Sequence, residues 1–211
     1  AEQGHVVTVA QVHEVLRRAT RCKLFERRCS SDEQTRQFWH HIYATAFGDL
    51  LGAKYNHPPA VIDHLAAEYI DRFEAGEFIK LFRDARPALE ALQALGVPMG
   101  IVSNFGTYLN RFLEQTGITE FFHFVLISAV EGCEKPHPDI YDRALQRCAP
   151  VPAERILFVG DSPDEDYAAA RRHGMYSVLI DRHDRHADKP GLHRIRRLTE
   201  LPELLGADVT A

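Results

Sequence analysis

Three short polar segments in this 211-residue sequence stand where apolar runs end, and their side chains complement one another chemically. Gly100-Ile101-Val102 runs into Ser103-Asn104, and Ile156-Leu157-Phe158-Val159 runs into Gly160-Asp161-Ser162-Pro163-Asp164-Glu165-Asp166. Glu134-Lys135-Pro136 follows an apolar run over 124–127 and precedes a helical pattern. The Ser103 hydroxyl and the backbone around Asn104 offer hydrogen-bond donors to phosphate oxygens, and Lys135 offers positive charge to a transferring phosphoryl group. Asp161 is a hard oxygen ligand suited to Mg²⁺, and Asp166, five residues on, can orient a metal-bound water or the lysine. Each segment alone has a plain structural reading. Ser-Asn after a strand is usually a turn, Lys-Pro a loop, and Gly-Asp-Ser a helix N-cap whose following Asp164 and Glu165 favour the first helical turn. All three in this order, each at the carboxyl end of a strand candidate, favour a shared function.

The elements that must position these residues are legible from about residue 84 onward. A helix over 88–95 closes on Gly96, a favoured residue just past a helix end, and a buried strand follows over 97–102. A helix over 109–116 stops at Gly117, and strand 124–127 precedes helix 138–147. Strand 156–159, a helix over 164–173 ending on Gly174, strand 177–180 and a short edge over 194–198 complete the pattern. This alternation predicts an α/β fold, a parallel sheet with helices on both faces, whose ligands sit beyond the carboxyl ends of the strands. The polar segments, distant in sequence, then meet at one edge. The preceding 80 or so residues read as helices. Thr8-Val9-Ala10-Gln11 and Ser30-Ser31-Asp32-Glu33 fit capping boxes, and a third helix starts after Pro58-Pro59. Val12, Val15, Leu16 and Ala19, then Phe38, Trp39, Ile42, Tyr43 and Phe47, then Val61, Ile62, Leu65, Ala66, Tyr69, Ile70 and Phe73 recur at helical spacing, so their aromatic rings read as core.

Composition narrows the class further. With 45% hydrophobic residues the chain is long enough to bury a core and form one or two domains. A net charge of −5 gives no footprint for nucleic acid or an anionic membrane, and no apolar run approaches a membrane span. The first residues lack the features of a secretory signal, so a cytoplasmic protein is expected. Cysteines at 22, 29, 133 and 148 form no Cys-x-x-Cys pair and read as reduced thiols. His183, His186 and His193 lie in a polar stretch with Asp181, Asp184, Asp188, Pro190 and Gly191, which reads as a solvated loop.

On these motifs the chain resembles the haloacid-dehalogenase-like superfamily. Gly100-Ile101-Val102-Ser103-Asn104-Phe105, Glu134-Lys135-Pro136-His137-Pro138-Asp139-Ile140-Tyr141, and Phe158-Val159-Gly160-Asp161-Ser162 with Asp166 are similar to its second, third and fourth motifs. The resemblance covers about 84–205, including a closing Ile195-Arg196-Arg197-Leu198 segment similar to the family's last strand and helix. It implies a Rossmann-like core over 83–211 and, over 1–82, a small all-helical cap where the first-type cap is inserted. The Gly-Asp-Ser form with Asp166 is similar to the phosphatase branch; the dehalogenases proper tend to carry Ser-Ser-Asn there. By resemblance, Ser103 and Lys135 are catalytic, Ser103, Asn104 and Lys135 bind phosphate, Asp161 ligates Mg²⁺ with Asp166 in support, and the substrate is a small phosphorylated metabolite hydrolysed through an aspartyl-phosphate.

One departure is large. The family's first motif, a strand followed by Asp-x-Asp-x-Thr or a close variant, carries the attacking aspartate and precedes the cap. Before position 50 the acidic residues are Glu2, Glu14, Glu26, Asp32, Glu33 and Asp49, none after an apolar strand, and His5-Val6-Val7-Thr8-Val9 holds no carboxylate. The chain therefore reads as beginning inside the cap, about 25–30 residues late, and as inactive by itself. A start at Ala1 rather than Met favours a parent enzyme whose nucleophile lies elsewhere. The alternative is a pseudoenzyme that binds a phosphorylated ligand or a protein; a 2-haloacid dehalogenase is disfavoured by Gly160-Asp161-Ser162. The missing strand normally lies between those ending at Ser103 and Gly160, so two unpaired edges are expected to associate, as a homo-oligomer or with a pairing segment.

Overall fold

The computed structural model describes residues 9–19, 29–52 and 57–207. Thr8, expected to cap the first helix, the residues 5–8 and Cys22 lie outside them.

The helices α1 (Val9–Ala19), α2 (Asp32–Phe47) and α3 (Pro59–Glu74) pack on one another, and a π-helical turn, Gly48–Gly52, extends α2. Their buried residues follow the helical period: Val15 and Ala19; Phe38, Ile42 and Ala46; Ile62, Ala66 and Ile70. Val61, one step off that face, is 40% exposed. Pro59 opens α3, where its missing N–H costs nothing. Ser31 rather than Ser30 caps α2, its Oγ accepting from the Gln34 amide at 3.1 Å. Ser30 is drawn away by a tertiary contact, because its hydroxyl donates to Glu134.

Beyond them run α4 (Ala85–Ala94), β1 (Met99–Ser103), α5 (Leu109–Thr116), β2 (Phe122–Ile127), the single turn α6 (Ser128–Glu131), α7 (Pro138–Cys148) and β3 (Leu157–Gly160). A π-helical turn, Pro163–Ala168, then leads into α8 (Ala169–Arg172), where one uninterrupted α-helix was expected. The chain continues through β4 (Tyr176–Ile180) and β5 (Arg194–Ile195) to α9 (Leu201–Ala207). β5 is shorter than the sequence pattern, holding only the residues that pair with Leu179 and Ile180. Every pairing is parallel: β1 with β2, β3 with β4, and β4 with β5.

Side chains alternate between two hydrophobic layers, as the strand period requires. Val102, Leu126 and Phe158 face Ile140, Tyr141 and Ala144 of α7 and Ala169 and Ala170 of α8. Met99, Leu157, Val159 and Val178 face Leu92 of α4 and Leu201 of α9. Both layers thus reach across from β1 to β3, yet among the described residues no strand pairs with both. The burial order reflects this. Leu126 and Ile127 of β2 and Val178 and Leu179 of β4 are at most 6% exposed, whereas no residue of β1 or β3 is fully buried.

The polar stretch after β4 is more ordered than a solvated loop. Asp181 is 4% exposed and accepts from the Arg185 and His186 amides and from Arg194. Nearby, Asp84 ties the start of α4 to the end of the chain, accepting from Arg182 at 2.8 Å and from the Leu198 amide at 2.7 Å. Burial opposes ionisation of Asp84, but Arg182 and the Leu198 amide outweigh it and hold the carboxyl below its ordinary 3.8. A depressed carboxyl contributes stability that is full above 3.8 and fades as pH falls through the lower, folded value. Asp84→Asn is expected to cost about 1–3 kcal/mol at neutral pH, with the difference from wild type shrinking in acid. Urea unfolding at pH 7 and in the acid range checks it; a pH-independent difference contradicts it.

Candidate active site

The carboxyl ends of β1 and β3 and the loop between α6 and α7 meet at one edge, and their side chains interlock. Asn104, just past β1, brackets the backbone of Lys135: its Nδ2 donates to the Lys135 carbonyl at 2.8 Å and its Oδ1 accepts from the Lys135 amide at 2.7 Å. Nδ2 also reaches Glu165 Oε2 at 3.3 Å. The carboxamide is therefore committed to the lysine loop, which leaves the backbone at Asn104, rather than its side chain, for an anion.

Lys135 Nζ lies 2.5 Å from Asp166 Oδ1, with the two side chains 12% and 6% exposed. The other Asp166 oxygen accepts from the Ser162 amide at 2.9 Å, and Ser162 Oγ caps the next turn through the Glu165 amide. Gly160 makes this closure possible. A Cβ there would stand 2.2 Å from Asp166 Cγ, so no side chain fits. Beneath the pair, Phe158 lies 5.8 Å from Lys135 Nζ, and Tyr141, fully buried, donates its hydroxyl to the Glu165 carbonyl. Burial, reinforced by Asp166 and Glu165, raises the Tyr141 phenol far above its usual range, so it stays a donor.

Ser103 ends β1 half-buried, and its hydroxyl makes no side-chain hydrogen bond among the described residues. Asp161 is exposed at the end of β3 and likewise has no ion pair among them. Both are therefore free to meet a ligand, whereas Asp166 has both oxygens engaged and acts on Lys135. Gly160, Tyr141 and Glu165 were not singled out as site residues. Their roles are set by contacts made only in the folded chain: Asp166 against Gly160, Asn104 against the Glu165 side chain, and the Tyr141 hydroxyl on the Glu165 carbonyl.

For Mg²⁺, the oxygen donors at this edge are of the right kind. Among the described residues no group of three His, Cys, Asp or Glu side chains is arranged to hold a metal unaided. Mg²⁺ ordinarily needs only one or two carboxylates, completed by water and substrate phosphate, so Asp161 fits as its anchor.

At one edge of the parallel strands a buried lysine–carboxylate pair lies beside the Ser103 hydroxyl and the Asp161 carboxylate, an arrangement that could take an anion. A family model described as haloacid dehalogenase-like hydrolase matches residues 6–174, and the chain belongs to that family. Haloacid dehalogenase-like hydrolase domain-containing protein 3 of Danio rerio is 36% identical over 160 residues, 74% of this chain and 66% of that protein. Glyceraldehyde 3-phosphate phosphatase of Methanopyrus kandleri is 37% identical over 107 residues, 50% of this chain and 45% of that protein. The chain thus spans less than two thirds of these relatives. Among solved structures, the HAD-hydrolase YfnB of Bacillus subtilis, bound to magnesium, shares the fold with a TM-score of 0.68 at 20% identity, covering 97% of this chain and 86% of that one. A 2-haloacid dehalogenase from Pseudomonas syringae pv. Tomato DC3000 gives 0.60 at 25% identity, covering 96% and 82%.

Gly160→Ala is expected to push Asp166 off Lys135 and to destabilise the protein by about 1–3 kcal/mol. Urea unfolding checks it; a wild-type midpoint would mean that Asp166 is not held against Gly160.

Proposed function

We propose that this chain forms the α/β core and helical cap of a cytoplasmic, Mg²⁺-dependent phosphatase acting on a small phosphorylated metabolite. The observation that carries the reading is the Lys135–Asp166 pair, 2.5 Å apart and nearly buried, with Asn104 bracketing the lysine backbone. A lysine so held is a fixed positive charge at a strand edge, which suits the oxygens of a phosphoryl group. The phosphatase relative supports this over the dehalogenase reading, as does Asp161 in a Gly-Asp-Ser segment.

In this reading the Ser103 hydroxyl and the Asn104 backbone hold phosphoryl oxygens, and Lys135 offsets the charge that develops on them. Asp161 would hold Mg²⁺, which when bound neutralises phosphate charge. An aspartate carboxylate attacks phosphorus, the P–O ester bond breaks and the leaving oxygen takes a proton from solvent; water then cleaves the aspartyl-phosphate, giving phosphate, returning a proton to solvent and regenerating the carboxylate. We place that aspartate at the end of a further parallel strand lying between β1 and β3, where the strand edges are least buried. The helical unit α1–α3 would close over the substrate. A second reading is a module that binds a phosphorylated ligand without turnover.

The test compares the 211-residue chain with the product of the complete reading frame, using para-nitrophenyl phosphate with and without Mg²⁺. The complete product should hydrolyse it only with Mg²⁺ and lose at least about 100-fold in kcat on Lys135→Ala or Asp161→Ala. In light scattering, the 211-residue chain should associate if the β1 and β3 edges stay unpaired. Turnover that survives both substitutions refutes the mechanism. Halide release from 2-chloropropionate without metal would favour the dehalogenase, and tight phosphate binding without turnover the binding module.

A further inference from the structure

Glu134 has no part in the chemistry proposed above, yet it is only 8% exposed. A buried carboxylate is costly unless it accepts hydrogen bonds. Among the described residues, two donors come from a segment 105 residues away: the Cys29 amide bonds to Glu134 Oε2, and Ser30 Oγ reaches the same oxygen at 3.4 Å. These residues begin the strap, Cys29–Asp32, that leads into α2. The strap is held at two further points. Ser128, fully buried, donates to the Cys29 carbonyl and accepts from the Phe105 amide at 3.0 Å. Asp32 accepts from the Thr107 amide at 2.7 Å and the Thr107 hydroxyl at 2.6 Å.

Three of these partners adjoin the candidate site in sequence. Phe105 and Thr107 follow Asn104, and Glu134 immediately precedes Lys135. The lysine loop is thereby gripped from two sides, by Asn104 through the Lys135 backbone and by the strap through Glu134. We propose that Glu134 is a positioning residue that registers the helical cap against Lys135: its carboxylate holds the strap leading into the cap, and the next residue along the chain carries the lysine. Displacing the cap removes these two donors from Glu134 and releases one of the two grips on the lysine loop; loosening that loop loosens the cap in turn, because the linkage is reciprocal. The proposal rests on the phosphatase reading for the purpose of Lys135, but not for the coupling itself.

The experiment uses the full chain and two readouts that need no turnover: amide hydrogen exchange over 29–36, and acetylation of the Lys135 amine by acetic anhydride, both followed by mass spectrometry. Glu134→Ala and the shorter Glu134→Asp should speed exchange over 29–36 by about tenfold and Lys135 acetylation by at least about threefold, leaving 176–180 protected. Glu134→Gln, which keeps an acceptor oxygen, should restore most of both. If Glu134→Ala exposes 176–180, it has unfolded and Glu134→Asp decides. Unchanged strap exchange, faster strap exchange with unchanged Lys135 acetylation, or failure of Glu134→Gln to rescue would each overturn the proposal. Absence of phosphatase activity in the complete protein counts against the catalytic reading alone, since neither readout depends on it.

Discussion

The ion pair between Lys135 and Asp166, 2.5 Å apart with both side chains largely out of solvent, sets the terms for the rest of the site. Taking two charges out of water costs several kcal/mol per ion, and their attraction offsets that cost only when geometry is good and remaining hydrogen-bonding positions are filled. The surroundings meet both conditions. The Ser162 amide takes the second Asp166 oxygen, Gly160 leaves room for the carboxylate, and Asn104 fixes the backbone from which the lysine extends. Three segments far apart in sequence are thereby locked into one edge.

That lock matters more here because β1–β2 and β3–β4–β5 form separate sheets among the described residues. The apolar layers on the two faces span both sheets, but they are non-directional and set no register at the strand ends. Among the described residues, the directional contacts between the two halves at the chemical edge include the Asn104–Glu165 hydrogen bond and the lysine–aspartate pair, with Asn104 also bracketing the lysine backbone. An inserted strand would enter a frame whose carboxyl end is already fixed. The shared fold is compatible with both phosphatases and dehalogenases, so the chemical assignment rests on these side chains.

Much of this was legible in the sequence, for identifiable reasons. Apolar runs ending in Ser103-Asn104 and Gly160-Asp161 placed β1 and β3, and the glycines at 96, 117 and 174, all with positive φ, closed the preceding helices where expected. Local pattern failed where a distant partner decides. Ser30 and Ser31 are equivalent as caps until Glu134 claims the first. Asp181 looks like a loop residue until Arg194 and two amides enclose it. The backbone around Asn104 was legible as an anion donor, but the hold of its side chain on the Lys135 backbone was not, because that partner lies 31 residues away. Glu134 was legible only as a member of the Glu134-Lys135-Pro136 segment, and its bond to the strap was not, since that donor lies across the chain.

If these residues form a preorganised site for a phosphoryl group and Mg²⁺, calorimetric titration with orthophosphate should show it. With Mg²⁺ present, binding should weaken by at least about tenfold on Lys135→Ala, and Asp161→Asn should abolish the difference made by the metal. Orthophosphate binding of unchanged strength in both variants, or binding indifferent to Mg²⁺ in the wild-type protein, would contradict it.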